Sequence, residues 1–279
     1  MKHFEGRTAV VTGGASGLGA AMGQAFAGAG MRVLLADLDA DGAERVAESL
    51  RAEGAEASSV AVDVGDLASL EQLAATARDV FGACDLLAAN VGVQRIARFD
   101  AMTREEFAWL IQTNVIGTAD TVRALLPMLR ESGDGHVVLT GSINSLVTVP
   151  GLVGYATSKM AVLSLAEGLA LELEGDGIAV TALLPGGMAT NHLQSSDRAR
   201  PAHLGEAGEL DPSVIAEVAS TLTPSADDLL SPEEAIRDLL PALREGRRYL
   251  VTHGPVPPSY DERVAQIREA IDRATGGER

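Results

Sequence analysis

Short apolar runs alternate with longer segments of helical periodicity through the first two thirds of the chain. The runs predict strands at residues 8–11, 32–36, 59–62, 85–89, 136–140 and 178–183. The segments between them predict helices at residues 20–29, 41–53, 66–81, 104–130 and 154–174. Short strands that are apolar throughout are typical of a parallel sheet covered by helices on both faces. The alternation therefore predicts an α/β fold with a Rossmann-like, doubly wound parallel sheet.

The pattern changes after residue 189. Residues 190–230, here called the lid segment, mix Ser, Asp, Pro and Gly with scattered aliphatic residues and contain no aromatic residue. A segment this long in a compact domain is usually functional, so we expect a substrate-binding loop. Ser231 before Pro232 predicts a helix start, and a strand at 248–252 and a helix at 259–273 follow.

These elements predict a single domain over residues 1–279. Its parts are a cofactor-binding and catalytic core (1–189), the lid segment, and a C-terminal part with a helix, a strand and a tail helix (231–279). The long helix at 104–130 begins with a capping box of Thr103 and Glu106, and Pro127 is expected to kink or shorten it.

The composition narrows the classes of function. The formal net charge of −17 disfavours binding to nucleic acid or to an anionic membrane surface. The chain has no apolar run of about 18 residues and no apolar signal region, so we expect a cytoplasmic protein without membrane partners. The single cysteine, Cys84, predicts a buried structural thiol. The histidines show no close pair at ligand spacing, so no metal is predicted.

A glycine-rich turn at residues 12–19 follows the first predicted strand and opens the first helix. Gly13 permits a tight turn, Gly17 lets the backbone approach a ligand, and Gly19 lets the helix pack close to the sheet. The helix N-terminus offers free N–H groups and a partial positive charge to a pyrophosphate. The turn therefore predicts a dinucleotide site. Its expected contacts are Gly13, Ser16, Gly17, Leu18 and Gly19.

Asp37 ends the second predicted strand, with Leu38 behind it. A carboxylate there can accept hydrogen bonds from the adenosine ribose and would repel the 2′-phosphate of NADP. NAD is therefore the expected cofactor, with NADP the weaker alternative. Further contacts are expected at the carboxyl ends of the next two strands, where ligands bind in open α/β sheets. These are Asp63, Val64, Asn90 and Gly92.

Three residues form a candidate proton-transfer group. Tyr155 and Lys159 are four positions apart on one predicted helix and share a face, and Ser142 lies just past the fifth predicted strand. A free tyrosine has a pKa of about 10. A neighbouring ammonium and the positive nicotinamide ring would favour the phenolate, so Tyr155 is the expected base for oxidising an alcohol. Ser142 is expected to hold the substrate oxygen.

Together these motifs resemble the short-chain dehydrogenase/reductase family from about Arg7 to Thr190. The resemblance rests on residues 12–19, Asp63, Asn90, Gly92, Asn114, Ser142, Tyr155, Lys159, Pro185, Gly186 and Thr190, which follow the order and approximate spacing of the family. One departure is visible, since the usual Asn-Asn-Ala-Gly of the family reads Ala89-Asn90-Val91-Gly92 here. Hydrogen bonding at that strand end is expected to differ, without loss of activity.

The resemblance also implies roles for particular residues. Asn114 would hold a water that links Lys159 to solvent, which completes a tetrad with Ser142 and Tyr155. Tyr155 and Lys159 would also contact the cofactor. The nicotinamide would lie beside Pro185, Gly186, Met188 and Thr190. A homotetramer or dimer is implied, in which the helices at 104–130 and 154–174 pack across an interface.

The sequence leaves the substrate open. The aliphatic lid segment favours a fairly apolar secondary alcohol or ketone, and the extended C-terminus resembles dehydrogenases of bulky aryl or cyclic alcohols. Candidate substrate contacts are Gln94, Ser142, Asn144 and His192. Two alternatives remain, an NADPH-dependent ketone or ketoacyl reductase and a non-catalytic dinucleotide-binding protein.

Overall fold

A computed structural model describes residues 1–188, 190–206, 208, 210–222, 229–252 and 256–275. Its described part contains one parallel sheet in the order β3-β2-β1-β4-β5-β6-β7. The strands are β1 (Thr8–Thr12), β2 (Arg32–Asp37), β3 (Ala57–Ala61), β4 (Leu86–Ala89), β5 (His136–Thr140), β6 (Ala179–Leu184) and β7 (Tyr249–Val251). The predicted α/β class and parallel, doubly wound sheet are confirmed.

Helices cover both faces of this sheet. In the core they are α1 (Gly17–Gly28), α2 (Ala40–Ala52), α3 (Leu67–Phe81), α4 (Arg104–Ile111), α5 (Gly117–Ser132) and α6 (Val153–Glu172). After the core come α7 (His192–Arg198), α8 (Pro212–Leu222), α9 (Pro232–Ala235), α10 (Leu239–Glu245) and α11 (Ser259–Thr275). Two separate apolar clusters fill the space between the sheet and the helices of each face, which explains why the inner strands are apolar on both sides.

The strand order places the ligand edge. The chain moves outward from β1 to β3 on one side and then from β4 to β7 on the other, so the order reverses between β1 and β4. Val10 of β1 pairs with Leu34 of β2 and with Leu87 of β4. The loops at the carboxyl ends of β1 and β4 leave in opposite directions, and an open crevice forms between them.

The predicted helix at 104–130 is wrong in one respect, because it is broken in its middle. A π-helical turn, Gln112–Ile116, separates α4 from α5 and carries Asn114. Gly117 follows it at a point of close approach, where a Cβ atom would lie 2.9 Å from the Val64 carbonyl oxygen. Pro127 lies inside α5, which continues to Ser132, so the expected shortening does not occur.

The C-terminal third is more helical than the sequence predicted. The lid segment contains α7, a 3₁₀ turn at Ala202–Leu204, and α8 in place of a plain loop. Ser231 caps a helix start as predicted, but α9 is a single turn and α10 follows it. The last strand is β7, shorter than the predicted 248–252.

Two features outside the ligand edge complete the description. Cys84 is fully buried just before β4, where burial raises the pKa of its thiol, so the prediction of a buried thiol is confirmed. The tail helix α11 has no buried residue along its length. In the described part of the chain, no helix is long and apolar enough to span a membrane.

Candidate active site

The glycine-rich turn forms a cradle that only glycine can build. Gly13 and Gly17 have φ angles of +70° and +52°, a backbone conformation that disfavours other residues. A Cβ atom on Gly19 would lie 1.9 Å from the Gly13 carbonyl oxygen, so α1 packs directly against the turn. Among the described residues, no side chain caps the start of α1, and its N–H groups remain open to a ligand. These features fit a bound pyrophosphate.

Asp37, the residue predicted to contact an adenosine ribose, ends β2 directly beside the cradle. Its carboxylate accepts hydrogen bonds from the Ala15 N–H at 3.0 Å and the Asp39 N–H at 2.9 Å. Burial raises the pKa of Asp37 above its usual value, although these two N–H groups oppose the shift. The neighbouring Leu38 is 57% exposed and offers an apolar surface beside the carboxylate. This arrangement suits a ribose with two free hydroxyls and an adenine ring.

Asn90 ties the crevice together. Its N–H donates to Thr12 Oγ1 at 3.1 Å, and its Oδ1 accepts from Thr140 Oγ1 at 3.1 Å. Cβ atoms on Gly13 or Gly19 would each lie 2.9 Å from Asn90 Nδ2, so the amide packs against the cradle. The sequence predicted Asn90 and included Thr12 in the glycine-rich turn without giving it a role, but it gave no signal for Thr140, because threonines at strand ends are common.

Asp63 and Val64 follow β3, at the far side of the cradle. Asp63 Oδ1 accepts from the Gly65 N–H at 2.8 Å and thus closes its own exposed turn. Val64 is buried against Gly117. The structure therefore brings Asp63 to the predicted edge and shows that Val64 also has a packing role.

Tyr155 is buried near the start of α6, with 8% of its surface exposed. Burial raises the pKa of its phenol to about 12, while a hydrogen bond from Ser142 acts in the opposite direction. Ser142 begins a short 3₁₀ turn, and its Oγ also accepts from the Asn144 N–H at 3.1 Å. The predicted lowering of the phenol pKa is therefore not seen in the protein alone, because burial outweighs the hydrogen bond with Ser142.

Lys159 lies one helical turn beyond Tyr155 and is 3% exposed. Its Nζ donates to the Thr140 carbonyl at 2.8 Å and lies 5.8 Å from the centre of the Tyr155 ring. Burial lowers the pKa of the ammonium to about 8. A Cβ atom on Gly92 would lie 2.9 Å from Nζ, so Gly92 leaves the space that the ammonium occupies.

Asn114 is fully buried in the π-helical turn. Its Oδ1 accepts from the Val93 N–H at 2.7 Å, and its Nδ2 donates to the Val93 carbonyl and to Ser158 Oγ, each at 2.8 Å. The side chain thus fixes the loop after β4 to α6. Ser158 was not predicted, since nothing in the sequence distinguishes it from other helical serines.

The predicted nicotinamide contacts lie after β6. The Pro185 carbonyl accepts from the Ile143 N–H at 2.7 Å, which joins this loop to the turn of Ser142. Met188 pairs with Leu230 in an isolated bridge. The Thr190 side chain faces the cradle, 3.7 Å from where a Cβ atom on Gly17 would be. The Gly186 N–H donates to Thr252 Oγ1 at 3.3 Å.

Of the predicted substrate contacts, His192 lies against Tyr155, whereas Gln94 and Asn144 are held by other contacts. The His192 ring packs edge-on against Tyr155, with 6.2 Å between ring centres. Burial and, to a lesser extent, the charge of Lys159 lower the pKa of His192 to about 4, so its imidazole is neutral near pH 7. Gln94 is tied to the lid segment through its N–H, which donates to Ser196 Oγ at 3.0 Å. Asn144 is buried within its own turn.

An apolar wall surrounds the phenol. Tyr155 belongs to a buried cluster that joins the core to α8 of the lid segment. Its members are Ile96, Val149, Leu152, Tyr155 and Val214, with Leu193, Leu210, Val218 and Leu222 partly buried against them. The crevice thus has a polar side at the cradle and an apolar side under the lid segment.

Comparisons with known proteins agree with this geometry. The family model described as short chain dehydrogenase matches residues 7–201. A 1-deoxy-11-beta-hydroxypentalenate dehydrogenase of Streptomyces exfoliatus is 36% identical over 195 residues, which cover 69% of this chain and 71% of the relative. A C alpha-dehydrogenase of a Sphingobium strain is 26% identical over 273 residues, covering 97% of this chain and 88% of the relative.

A solved structure extends the likeness to the whole fold. It is a short chain dehydrogenase/reductase from Burkholderia phymatum in complex with NAD, and it is 31% identical to this chain. The superposition covers 98% of this chain and 97% of that one, with a TM-score of 0.85. The likeness therefore includes the lid segment and the C-terminal part as well as the core.

Proposed function

The chain belongs to the short-chain dehydrogenase/reductase family, and from this premise we propose that it is an NAD-dependent oxidoreductase. It transfers hydride between nicotinamide and a secondary alcohol or ketone whose body is fairly apolar, either aryl or cyclic. The observation that carries this proposal is the buried phenol of Tyr155, which lies beside the Ser142 hydroxyl and the Lys159 ammonium at the end of an open cofactor cradle.

The residues of the chain handle the proton and the substrate oxygen. In the reductive direction the Tyr155 phenol donates its proton to the carbonyl oxygen, and in the oxidative direction the same oxygen accepts the hydroxyl proton. Ser142 Oγ donates a hydrogen bond to the substrate oxygen and holds it beside the phenol. When bound, the nicotinamide supplies or accepts the hydride and, in its oxidised form, adds a positive charge near the site.

Lys159 assists in two ways. Its ammonium is mostly protonated near pH 7, since its pKa is about 8, and it favours the deprotonated form of the neighbouring phenol. Gly92 lies beside both the Lys159 ammonium and Asn114. A Cβ atom on Gly92 would be 3.6 Å from Asn114 Oδ1. We propose that a water held at Asn114 passes protons between Lys159 and solvent.

The preference for NAD rests on Asp37. Its carboxylate is held by two backbone N–H groups and cannot turn away from the ribose without losing both hydrogen bonds. Arg45, on the following helix α2, pairs with Asp39 at 3.9 Å. A 2′-phosphate would thus meet a fixed negative charge, which is unfavourable at short range.

The substrate class rests on the apolar wall and on the named relatives. The cluster around Tyr155 suits the ring of an alicyclic or aryl alcohol, which gains from burial. The Streptomyces relative is named a dehydrogenase of 1-deoxy-11-beta-hydroxypentalenate, a hydroxylated compound, and the Sphingobium relative is named a C alpha-dehydrogenase. Both names are compatible with oxidation of a secondary alcohol on a bulky body.

The first test is a fluorescence titration of the purified protein with NADH and, separately, with NADPH. We expect tight binding of NADH and at least about tenfold weaker binding of NADPH, which corresponds to a difference of about 1.4 kcal/mol. Oxidation of 1-phenylethanol and cyclohexanol with NAD then tests the reaction. Preference for NADPH would favour the reductase alternative, and binding of neither nucleotide would contradict the cofactor assignment.

We also propose a homo-oligomer, a tetramer or a dimer, built through α4, α5 and α6. Ile116 and Val153 lie on this surface and are 42% and 39% exposed, which leaves apolar area for a second copy to cover. Light scattering over a range of protein concentrations measures the assembly. A monomer at every concentration would contradict this part of the proposal.

A further inference from the structure

A buried charged cluster joins the core to the lid segment. The Glu106 side chain is 5% exposed, and its Oε1 lies 2.8 Å from Arg200 Nη2 and 3.3 Å from Arg95 Nε. The Arg200 and Arg95 side chains are 7% and 11% exposed. Glu106 also accepts the Thr103 N–H at 2.9 Å and so begins α4. The Glu106 carboxylate thus pairs with two guanidinium groups and also caps the start of α4.

The cluster holds the backbone of the lid segment at several points. Arg200 Nε donates to the Gly205 carbonyl at 2.8 Å, and Arg200 Nη2 donates to the Leu204 carbonyl at 3.2 Å. Arg95 Nη1 donates to the Gly208 carbonyl at 3.3 Å. Both arginines therefore need Glu106 as their counter-charge, because separating a buried ion from its partner is costly.

The cluster is connected to Tyr155 through α7. Arg200 lies two residues beyond the C-terminus of α7, Ser196 fixes its middle to Gln94, and His192 is its first residue. His192 packs against Tyr155 at the opposite end of the helix from Arg200. A short helix held at its end and middle fixes the position of its first residue.

We propose that Glu106 and Arg200 are positioning residues that clamp α7 and thereby hold His192 against Tyr155 over the substrate. The clamp acts through His192 on substrate binding and leaves the cofactor cradle untouched. Its effect on substrate affinity rests on the proposed function, whereas its effect on the position of α7 does not.

The structure offers a matched pair of variants. Arg200→Gln removes the clamp but leaves Arg95 balanced by Glu106, so the core is expected to fold. Arg98→Gln is the control, because Arg98 also joins the core to the lid segment, through Glu217 at 2.9 Å, but in an exposed pair. Exposed pairs contribute little. Arg200→Lys retains the charge and is expected to restore part of the effect.

The deciding measurement is the reaction of His192 with diethyl pyrocarbonate, followed by peptide mass spectrometry. We expect the rate to rise at least about threefold in Arg200→Gln, less in Arg200→Lys, and not in Arg98→Gln. Trp109, the only tryptophan, lies 5.9 Å from the Arg200 guanidinium and gives a second signal. Acrylamide quenching of Trp109 should increase in the same order.

A third measurement concerns turnover of 1-phenylethanol with NAD. In Arg200→Gln we expect KM to rise about tenfold while kcat and NADH affinity stay within about twofold. An unchanged His192 rate in Arg200→Gln, or an equal rise in Arg98→Gln, would overturn the clamp. If no variant, including the wild type, turns over the alcohol, the substrate proposal fails and the His192 rate still judges the clamp.

Discussion

The cradle edge of the sheet and the lid segment build the same crevice in different ways. At the cradle edge, the functional side chains are fixed by backbone groups, as Lys159 is by the Thr140 carbonyl and Asn114 by both polar groups of Val93. In the lid segment, contact with the core is made mainly through side chains, by an apolar cluster, ion pairs and hydrogen bonds such as that from the Gln94 N–H to Ser196 Oγ. The first region is specified by backbone geometry, the second by side-chain packing.

This difference suggests a division of labour. Proton transfer requires donor and acceptor to keep their distance within a few tenths of an ångström, which backbone hydrogen bonds between strands provide. Substrate binding requires a surface that can open and can differ between related proteins, which packed helices at a sheet edge provide. We therefore expect substitutions at the cradle edge to alter rate or cofactor binding, and substitutions in the lid segment to alter substrate affinity.

The largest expected effect is that of Tyr155→Phe. It removes the hydroxyl that exchanges the proton, so kcat should fall by roughly 10²- to 10⁴-fold while NADH affinity stays the same. Steady-state kinetics and NADH titration measure the two quantities. Tyr249→Phe is the control, since its hydroxyl bonds Glu167 on the surface. Turnover unchanged by Tyr155→Phe would end the catalytic assignment.

Gly19→Ala tests the cradle. The added methyl group would lie 1.9 Å from the Gly13 carbonyl oxygen, so turn and helix must separate. We expect NADH affinity to fall by about fivefold to 150-fold, the range that overpacking by about 1–3 kcal/mol would give. In Gly28→Ala, at the other end of α1, the described structure leaves open space around the new methyl group. Equal NADH binding in both variants would contradict the close packing.

The lid segment and the fold should differ in the pH at which acid destabilises them. His136 of β5 is fully buried, and burial, followed by the N-terminal ammonium, lowers its pKa to about 3. An unfolded histidine has a pKa of about 6.5, so the unfolded chain takes up the proton first. The stability from neutral His136 is complete above that pH and is lost as the pH falls towards about 3. Packing of His192 in the lid segment against Tyr155 of the core weakens in the same direction, because burial lowers the pKa of His192 to about 4.

Because the described part of the lid segment packs on the core mainly through side chains, whereas the strands are joined by backbone hydrogen bonds, we expect the lid segment to open at a higher pH than the fold unfolds. Acrylamide quenching of Trp109 reports opening of the lid segment, because Arg200 of that segment lies over the Trp109 ring. Far-ultraviolet circular dichroism reports unfolding of the whole fold. His192→Gln should remove much of the acid response of the first signal. Two signals that change together in the wild type would contradict separate opening.

The smallest expected effect is that of Val218→Ala. Val218 packs on the apolar wall around Tyr155, and its loss should raise KM for 1-phenylethanol by roughly twofold to tenfold with kcat little changed. Ile215→Ala is the control, because Ile215 lies on the same helix α8 and is 37% exposed. An equal rise of KM in both would mean that the wall does not contact the substrate.

The sequence predicted the sheet and the cradle edge well for a physical reason. Inner strands such as β1 and β5 are buried on both faces, so the residues in the middle of each strand are apolar. The turn at Gly13 and Gly19 admits no other residue, so it also leaves a clear pattern. Residue type alone reveals such positions.

Other features left no such pattern. The π-helical turn at Gln112–Ile116 inserts into a continuous helical periodicity, which therefore did not mark the break. In the lid segment, α7 contains one large apolar residue, Leu193, and so gives no periodic signal, whereas α8 carries Val214, Val218 and Leu222 at a helical spacing that the prediction of a loop did not use. The pairing of Glu106 with Arg200 joins residues 94 positions apart, and the sequence revealed only the local capping role of Glu106.

Cys84 offers a natural probe for opening of the core by thiol labelling. It is the only cysteine, it has no exposed surface, and its Sγ lies 3.6 Å from the Leu86 carbonyl at the entrance to β4. A thiol reagent can reach it only after the apolar cluster between the sheet and the helices α3 and α5 has opened, so we expect movements of the lid segment to leave its labelling rate unaffected. The labelling rate of Cys84 therefore measures how often the core opens under native conditions, without denaturant.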